Sequence, residues 1–361
     1  MAYTTIDDPS AHFQTALYTG NGSTQSITND GNSDMQPDWV WIKSRSNASW
    51  HSLQDSSRGA TKTLFSNTTN AEVTYTNAQT SFDSDGFSLA ADSSGGSVNV
   101  NSRTYVGWQW KANGGTTASN SNGSITSTVQ ANTDAGFSII TYTGNGTQSG
   151  QTVGHGLGAV PKVIISKDRN ASSNVPHWRV YHESIGNTKY LTLQGTDAAS
   201  TFNDWDNTTP TSSVYSVGGA GGYTPTNNNN TPYVAYVFAE KQGYSKFGKY
   251  VGNGNANGPF IYTGFKPAFV MTKRTDTTSG WFIQDIKRGI RNSNSGTALE
   301  ANTNLAESGI GATNYDIDFL SNGFKLRQSN AYLNASGGTY IYMAFAENPF
   351  TTSTGIPTTA R

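Results

Sequence analysis

The sequence predicts an all-β chain built of three tandem related antiparallel β-sandwich units, of jelly-roll or lectin-like type. Three observations carry that expectation: an internal repeat, apolar strands of period two, and a turn-rich composition with no helical period of useful length.

The repeat comes first, because a fixed internal order decides an architecture before any single residue does. Tyr-Thr-Gly-Asn-Gly at 18–22 returns at 142–146, and as Tyr-Val-Gly-Asn-Gly at 250–254. A proline then opens a strand-like run ending in lysine: Pro37 to Lys43, Pro161 to Lys167, Pro267 to Lys273. A tryptophan opens the next segment and a glycine closes it, Trp50 to Gly59, Trp178 to Gly186 and Trp281 to Gly289, with an acid inside at Asp55, Glu183 and Asp285. The last landmark is an apolar strand beginning at Tyr105, Tyr233 and Tyr340.

These closing strands show how sequence becomes structure. Val106, Trp108 and Trp110 alternate with Gly107 and Gln109, and Val234, Tyr236 and Phe238 in the second copy and Ile341, Met343 and Phe345 in the third take the same face. Period two places each set on one buried face. The opposite face carries Gly107, Ala235 and Ala344 in register, which predicts close packing there. Asn-Gly steps, as at Asn21, Asn145, Asn253 and Asn322, suit tight turns that need positive φ.

The expected organisation is an N-terminal arm at 1–12, repeats at 13–112, 137–243 and 244–350, a Gly/Ser/Thr/Asn linker at 113–136, and a tail at 351–361. Repeats of this size could bury independent cores, and the linker reads as flexible or laid on the surface.

Composition narrows the function. Charged residues are 13%, net charge is −1, and no block of Lys or Arg marks a nucleic-acid surface. Eighteen Tyr, 16 Phe and 8 Trp argue against disorder. Without cysteine there is no disulfide framework, thiol catalysis or thiolate metal site. No run approaches the roughly 20 apolar residues of a membrane-spanning helix, and the first residues lack a signal-peptide pattern, so a product made in the cytosol is expected.

The run Thr143-Gly-Asn-Gly-Thr with His155-Gly-Leu-Gly-Ala-Val-Pro-Lys-Val-Ile-Ile-Ser-Lys167, then Trp178 and Tyr181-His182, resembles repeat domains of unknown function in structural, tail-fibre-like proteins of tailed bacteriophages, notably marine ones. The likeness continues through Tyr233 to Glu240, Gly243 to Tyr250, Asp316 to Leu326 and Asn334 to Tyr340, and covers residues 137–350 better than the first copy. The resemblance implies a virion protein assembled in the host cytoplasm, with other virion proteins as partners. It transfers no catalytic residue.

Candidate chemistry is weighed against the repeat. The glycine loops lack the lysine and following helix of a phosphate cradle and read as turns. His177 and His182 with Glu183 fall short of a zinc site, and no metal site is assigned. The acid pairs Asp83/Asp85, Asp204/Asp206 and Asp316/Asp318 invite a glycosidase or calcium reading. Yet Asp85 and Asn322 occupy one pre-glycine position, an exchange a turn tolerates and a catalytic carboxylate does not. No cofactor is expected, calcium being the one ion these loops could hold. Asp55, Glu183 and Asp285 read as repeat-equivalent structural contacts, with three identical ligand sites as the sharper alternative. Trp205, in Phe202-Asn-Asp-Trp-Asp-Asn207, has no counterpart, and with Asp204 and Asp206 it is the expected glycan contact.

The expected function is a non-enzymatic phage virion protein, a tail fibre or surface appendage contributing to host attachment, with a host glycan as partner. A homo-oligomer, a trimer among the options, is expected. The alternatives are a capsid decoration or vertex protein, and a glycan depolymerase.

Overall fold

The computed structural model describes residues 2–91, 97–171, 177–288, 298–307 and 315–358. The described residues are almost entirely β, in several antiparallel sheets, and among them are three single-turn 3₁₀ segments and one four-residue α-helix at Ala331–Asn334. Gly289, expected to close the third tryptophan segment, lies outside the described residues.

Each sequence copy builds one large sheet with the same neighbour order: opening, closing, proline and tryptophan strands, then a short outer strand. In the first copy these are Phe13–Thr19, Thr104–Trp110, Trp39–Ser44, Ser52–Asp55 and Lys62–Phe65. In the second they are Phe137–Thr143, Pro232–Phe238, Val163–Asp168, Trp178–His182 and Lys189–Thr192. In the third they are Ser245–Val251, Thr339–Pro349, Phe265–Arg274, Trp281–Asp285 and Leu299–Glu300. Each closing strand is central because the opening strand pairs it on one side and the proline strand on the other.

The two faces of the closing strands go where their side-chain sizes send them. The small-residue face packs against a smaller sheet from the same copy: Ala16, Ile42 and Tyr105 cluster with Ile27, Phe87 and Leu89. A Cβ on Gly107 would stand 3.2 Å from the Phe87 ring, so the missing side chain sets that approach. Ala235 and Ala344 lie in the corresponding clusters of the other copies.

The bulky faces meet one another. One cluster unites Trp39, Trp41, Trp108 and Trp110 with Ile165, Tyr236 and Phe238 and with Phe269, Met271, Met343 and Phe345. Trp39 stacks on Tyr236 at 4.1 Å, Phe238 meets Phe345 at 5.6 Å, and Phe345 meets Trp110 at 5.6 Å. The largest side chains therefore serve a common core, and the expectation of independent cores gives way. The physical reason is size: aromatics bury 150–250 Å² each, and the thin second sheet of each copy covers only the opposite face.

Residues 113–136, expected as a linker, instead contribute strands Ala118–Asn120 and Ser127–Asn132. The second pairs along the opening strand of the second copy, from Ser127 opposite Tyr142 to Asn132 opposite Phe137. Polar composition hid it: Ser127 and Gln130 are buried through hydrogen bonds that the local sequence does not announce. The N-terminal arm docks on the later copies: Tyr3 Oη donates to the Gly264 carbonyl of the third at 2.5 Å and Thr4 Oγ1 to the Gln242 carbonyl at the end of the second at 2.8 Å. Asp7 holds Ser353 N at 2.6 Å.

Candidate contact surface

The threefold internal repeat acts as a control. What recurs in all copies serves the frame, and what is exposed in only one is free to serve something else.

The Asn-Gly loops belong to the frame. Tyr18, Tyr142 and Tyr250 stack on Tyr105, Tyr233 and Tyr340 with centroids 5.0, 5.0 and 4.8 Å apart. The next glycines, Gly20, Gly144 and Gly252, lie so near the carbonyls of Val100, Asn228 and Ala335 that a Cβ would collide. Then each loop asparagine locks onto a buried one. Asn21 N, Asn145 N and Asn253 N donate to Asn99, Asn227 and Asn334 Oδ1 at 3.1, 2.9 and 2.8 Å. The buried amides donate back, Asn227 Nδ2 to Asn145 Oδ1 at 2.8 Å and Asn334 Nδ2 to Asn253 Oδ1 at 3.0 Å. Sequence reasoning missed the buried asparagines, although each stands six residues before its closing tyrosine.

The recurrent acids belong to the seams between copies, and only two of them are equivalent. Register places Asp55 opposite Trp39, Asp285 opposite Phe269, and His182, not Glu183, opposite Val163. Asp55 accepts from Arg58 Nε and, across the seam, from Tyr236 Oη at 2.8 Å. Asp285 accepts from Arg288 Nε at 2.6 Å and, across the next seam, from Trp108 Nε1 at 2.9 Å. The third copy offers Met343 where Trp108 and Tyr236 stand, a side chain with no donor. His182 instead donates from Nε2 to the Tyr342 carbonyl at 3.2 Å while Nδ1 accepts from Ser184 N. Burial pushes His182 down to about 4, which keeps it neutral for that pair of bonds. Glu183 lies outside, paired with Lys162.

The same slip corrects the tryptophan landmark. Trp178 and Trp281 are buried and donate across seams to the carbonyls of Phe65 and Thr192, each at 2.9 Å. By register their counterpart is His51, which accepts from Trp41 Nε1 at 2.9 Å, while Trp50 is 43% exposed.

Lys43, Lys167 and Lys273 are fully buried at these seams, each ammonium among backbone carbonyls. Lys167 reaches the Thr69 carbonyl and Lys273 that of Thr196, both in the preceding copy. Burial pushes them down, Lys43 to about 7 with Arg288 adding repulsion, Lys167 and Lys273 to about 8.

The expected glycan contact is corrected. Trp205 is 1% exposed and packs edge-on against Tyr181 at 5.8 Å, within the cluster holding Tyr215 and Val217. Asp204 is buried beside Arg179 at 3.4 Å, and burial pushes it up to about 6. Asp206 is half-buried and accepts from Gly150 N at 2.7 Å. Polar neighbours in sequence suggested a surface loop, but here they form a buried ion pair and a turn while the indole fills the core. The other acid pairs are also engaged: Asp83 accepts from Ser81 and Ser88, Asp85 from Met35 N, and Asp318 pairs with Arg327 at 3.2 Å. Among the described residues no group of three His, Asp or Glu could hold a metal ion.

Among the described residues Trp50, Tyr332 and Phe350 are exposed rings, and two more share one strand face on the outside of the third copy's small sheet. Phe260 and Tyr262, 44% and 54% exposed, alternate with buried Ile261 and so share one face of strand Phe260–Tyr262. Gly323 lies beneath Phe260, Lys325 is opposite it, and Tyr3 approaches Tyr262 Oη at 3.4 Å. The corresponding strand of the first copy presents Ser26, bonded to Ser88. Two exposed rings thus stand beside Lys325, with Asp318, the partner of Arg327, on the next strand.

Residues 8–349 match the family described as a domain of unknown function, DUF7483. The chain belongs to the DUF7483 family. The match takes in all three copies as one family domain, in keeping with a core to which every copy contributes. No curated protein and no solved structure matches this DUF7483 chain.

Proposed function

We propose that the chain is a non-enzymatic virion structural protein of a tailed bacteriophage, a tail fibre or surface appendage contributing to host attachment. Its frame is read as three tandem sandwich repeats arranged cyclically around the common core. The exposed pair Phe260 and Tyr262 carries the attachment reading, because aromatic faces stack on the C–H faces of sugar rings while border polar groups take the hydroxyls. The resemblance of residues 137–350 to phage repeats supports the virion setting. The recurrent ionisable residues support a frame over a catalyst, since Asp55, Asp285 and the three lysines are spent on contacts between or within copies.

In this reading the chain acts as a homo-oligomer, a trimer among the options, in addition to the threefold arrangement inside one chain. Immunogold electron microscopy of particles tests the placement, with label on a tail appendage expected. Label over the head lattice favours the decoration reading. Host-cell binding by the full chain tests attachment: Phe260→Ala with Tyr262→Ala loses it while the unfolding midpoint stays. Retained binding refutes this surface.

A further inference from the structure

The seam between the first and third copies holds a groove of about 270 Å³ lined in part by Phe13, Gln14, Thr15, Ile286, Lys287 and Asn348. The equivalent place in the seam between the first and second copies is full. There strand Ser127–Asn132 runs along Phe137–Tyr142, with Gln130 opposite Ile139, the counterpart of Thr15. Gln130 Nε2 donates to Ser56 and Ser57 Oγ, both at 2.9 Å, and its Oε1 accepts from Asn113 N at 3.1 Å. Register makes Ser56, Ser57 and Asn113 the counterparts of Ile286, Lys287 and Asn348. Of the residues that Gln130 bonds to there, Ser56, Ser57 and Asn113 thus have counterparts lining the open groove, while Gly115, whose N donates to Oε1 at 2.9 Å, does not.

The groove also carries marks of a missing partner. Phe13–Thr19 is an edge strand, and edge strands offer unpaired backbone groups. Thr15 is 6% exposed, and its Oγ1 has no hydrogen-bond partner. In the remaining seam the equivalent edge amide, Phe247 N, is met by Glu240 at 3.3 Å. The counterpart of Glu240 is Glu347, which is held by Lys266 at 2.5 Å.

We infer that this edge is a docking slot for one extended segment of a partner protein, paired antiparallel to Phe13–Thr19, with an amide side chain seated between Thr15 and Lys287. Main-chain pairing gives such additions their affinity and alternate side-chain pockets their specificity. The occupant is a different protein because a second copy has no spare strand among the described residues: Ser127–Asn132 is already paired, and the tail folds back with Thr351 bridged to Pro357.

The chain supplies its own probe, a fluorescein-labelled peptide of residues 125–134, measured by polarisation against the full protein. The peptide binds, and leucine in place of its glutamine weakens binding about tenfold. Two peptides N-methylated at alternate residues, in opposite phases, separate pairing from stickiness: one phase abolishes binding and the other keeps it. On binding, hydrogen exchange slows at residues 13–19. No binding at millimolar peptide, equal binding by both phases, or protection at 245–251 instead overturns the slot. Self-association of the protein that the peptide dissolves overturns the choice of partner.

Discussion

Alanine at Asp55, Asp285 and Glu183 separates three acids that the sequence aligns. Asp55 and Arg58 side chains are fully buried, and the carboxylate also takes the Tyr236 hydroxyl of the next copy. Removing it leaves a buried guanidinium with Glu72 at 2.9 Å as remaining counter-charge, and a Tyr236 hydroxyl that still accepts from Arg58 Nη2 at 3.1 Å but has lost the acceptor of its own proton. Breaking a buried pair this way costs about 3–5 kcal/mol. Asp285→Ala leaves Arg288 and the Trp108 indole N–H in the same position and should cost about as much. Glu183 is 48% exposed at its side chain, and losing an exposed pair costs roughly 0–1 kcal/mol. Urea unfolding followed by tryptophan fluorescence reads the difference. A double-mutant cycle of Asp55→Ala with Tyr236→Phe should give a coupling on the order of 0.5–3 kcal/mol across the seam. Three equal costs, or no coupling, would refute the seam assignment.

The buried lysines predict a pH dependence. Folded values of about 7 to 8 lie below the roughly 10.4 of an exposed lysine. The unfolded chain therefore binds more protons between those values, so their contribution to stability is present above about pH 10 and lost as pH falls toward 7. Unfolding free energies from urea titrations should rise from pH 7 to 9 by up to roughly 1.4 kcal/mol per pH unit per lysine, and Lys273→Met should flatten that slope. Asn227→Ala strips the second loop of its lock and orphans Asn145 N, at a cost of about 2–4 kcal/mol from two or three lost buried partners, visible as a lower melting temperature. Phe260→Ala with Tyr262→Ala should change the unfolding free energy by less than about 0.5 kcal/mol.

The sequence showed what depends on period and order. The recurring landmarks, the paired faces of the closing strands and the close approach at Gly107 follow from side-chain size on a pleated strand. Single-residue equivalences within the copies were less visible. Trp50 matches Trp178 and Trp281 in residue type better than His51 does, and Glu183 matches Asp55 and Asp285 better than His182, yet register is set by pairing and a slip of one reverses the face. Two further signals stood in plain text: the asparagine six residues before each closing tyrosine, and an arginine three residues after Asp55 and Asp285. Trp205 was hidden for another reason. Its burial depends on Tyr181 and Tyr215, partners distant in sequence, while its immediate neighbours are polar. The strand Ser127–Asn132 was hidden likewise, since it is held by backbone pairing and by Gln130 rather than by an apolar stripe.

Shared aromatics and seam contacts should make the three copies one cooperative body. Hydrogen exchange read by mass spectrometry across a urea series tests this at the closing strands, 104–110, 232–238 and 339–349. All three should lose protection together at one urea concentration; loss in separate steps, copy by copy, would rule out a single cooperative body.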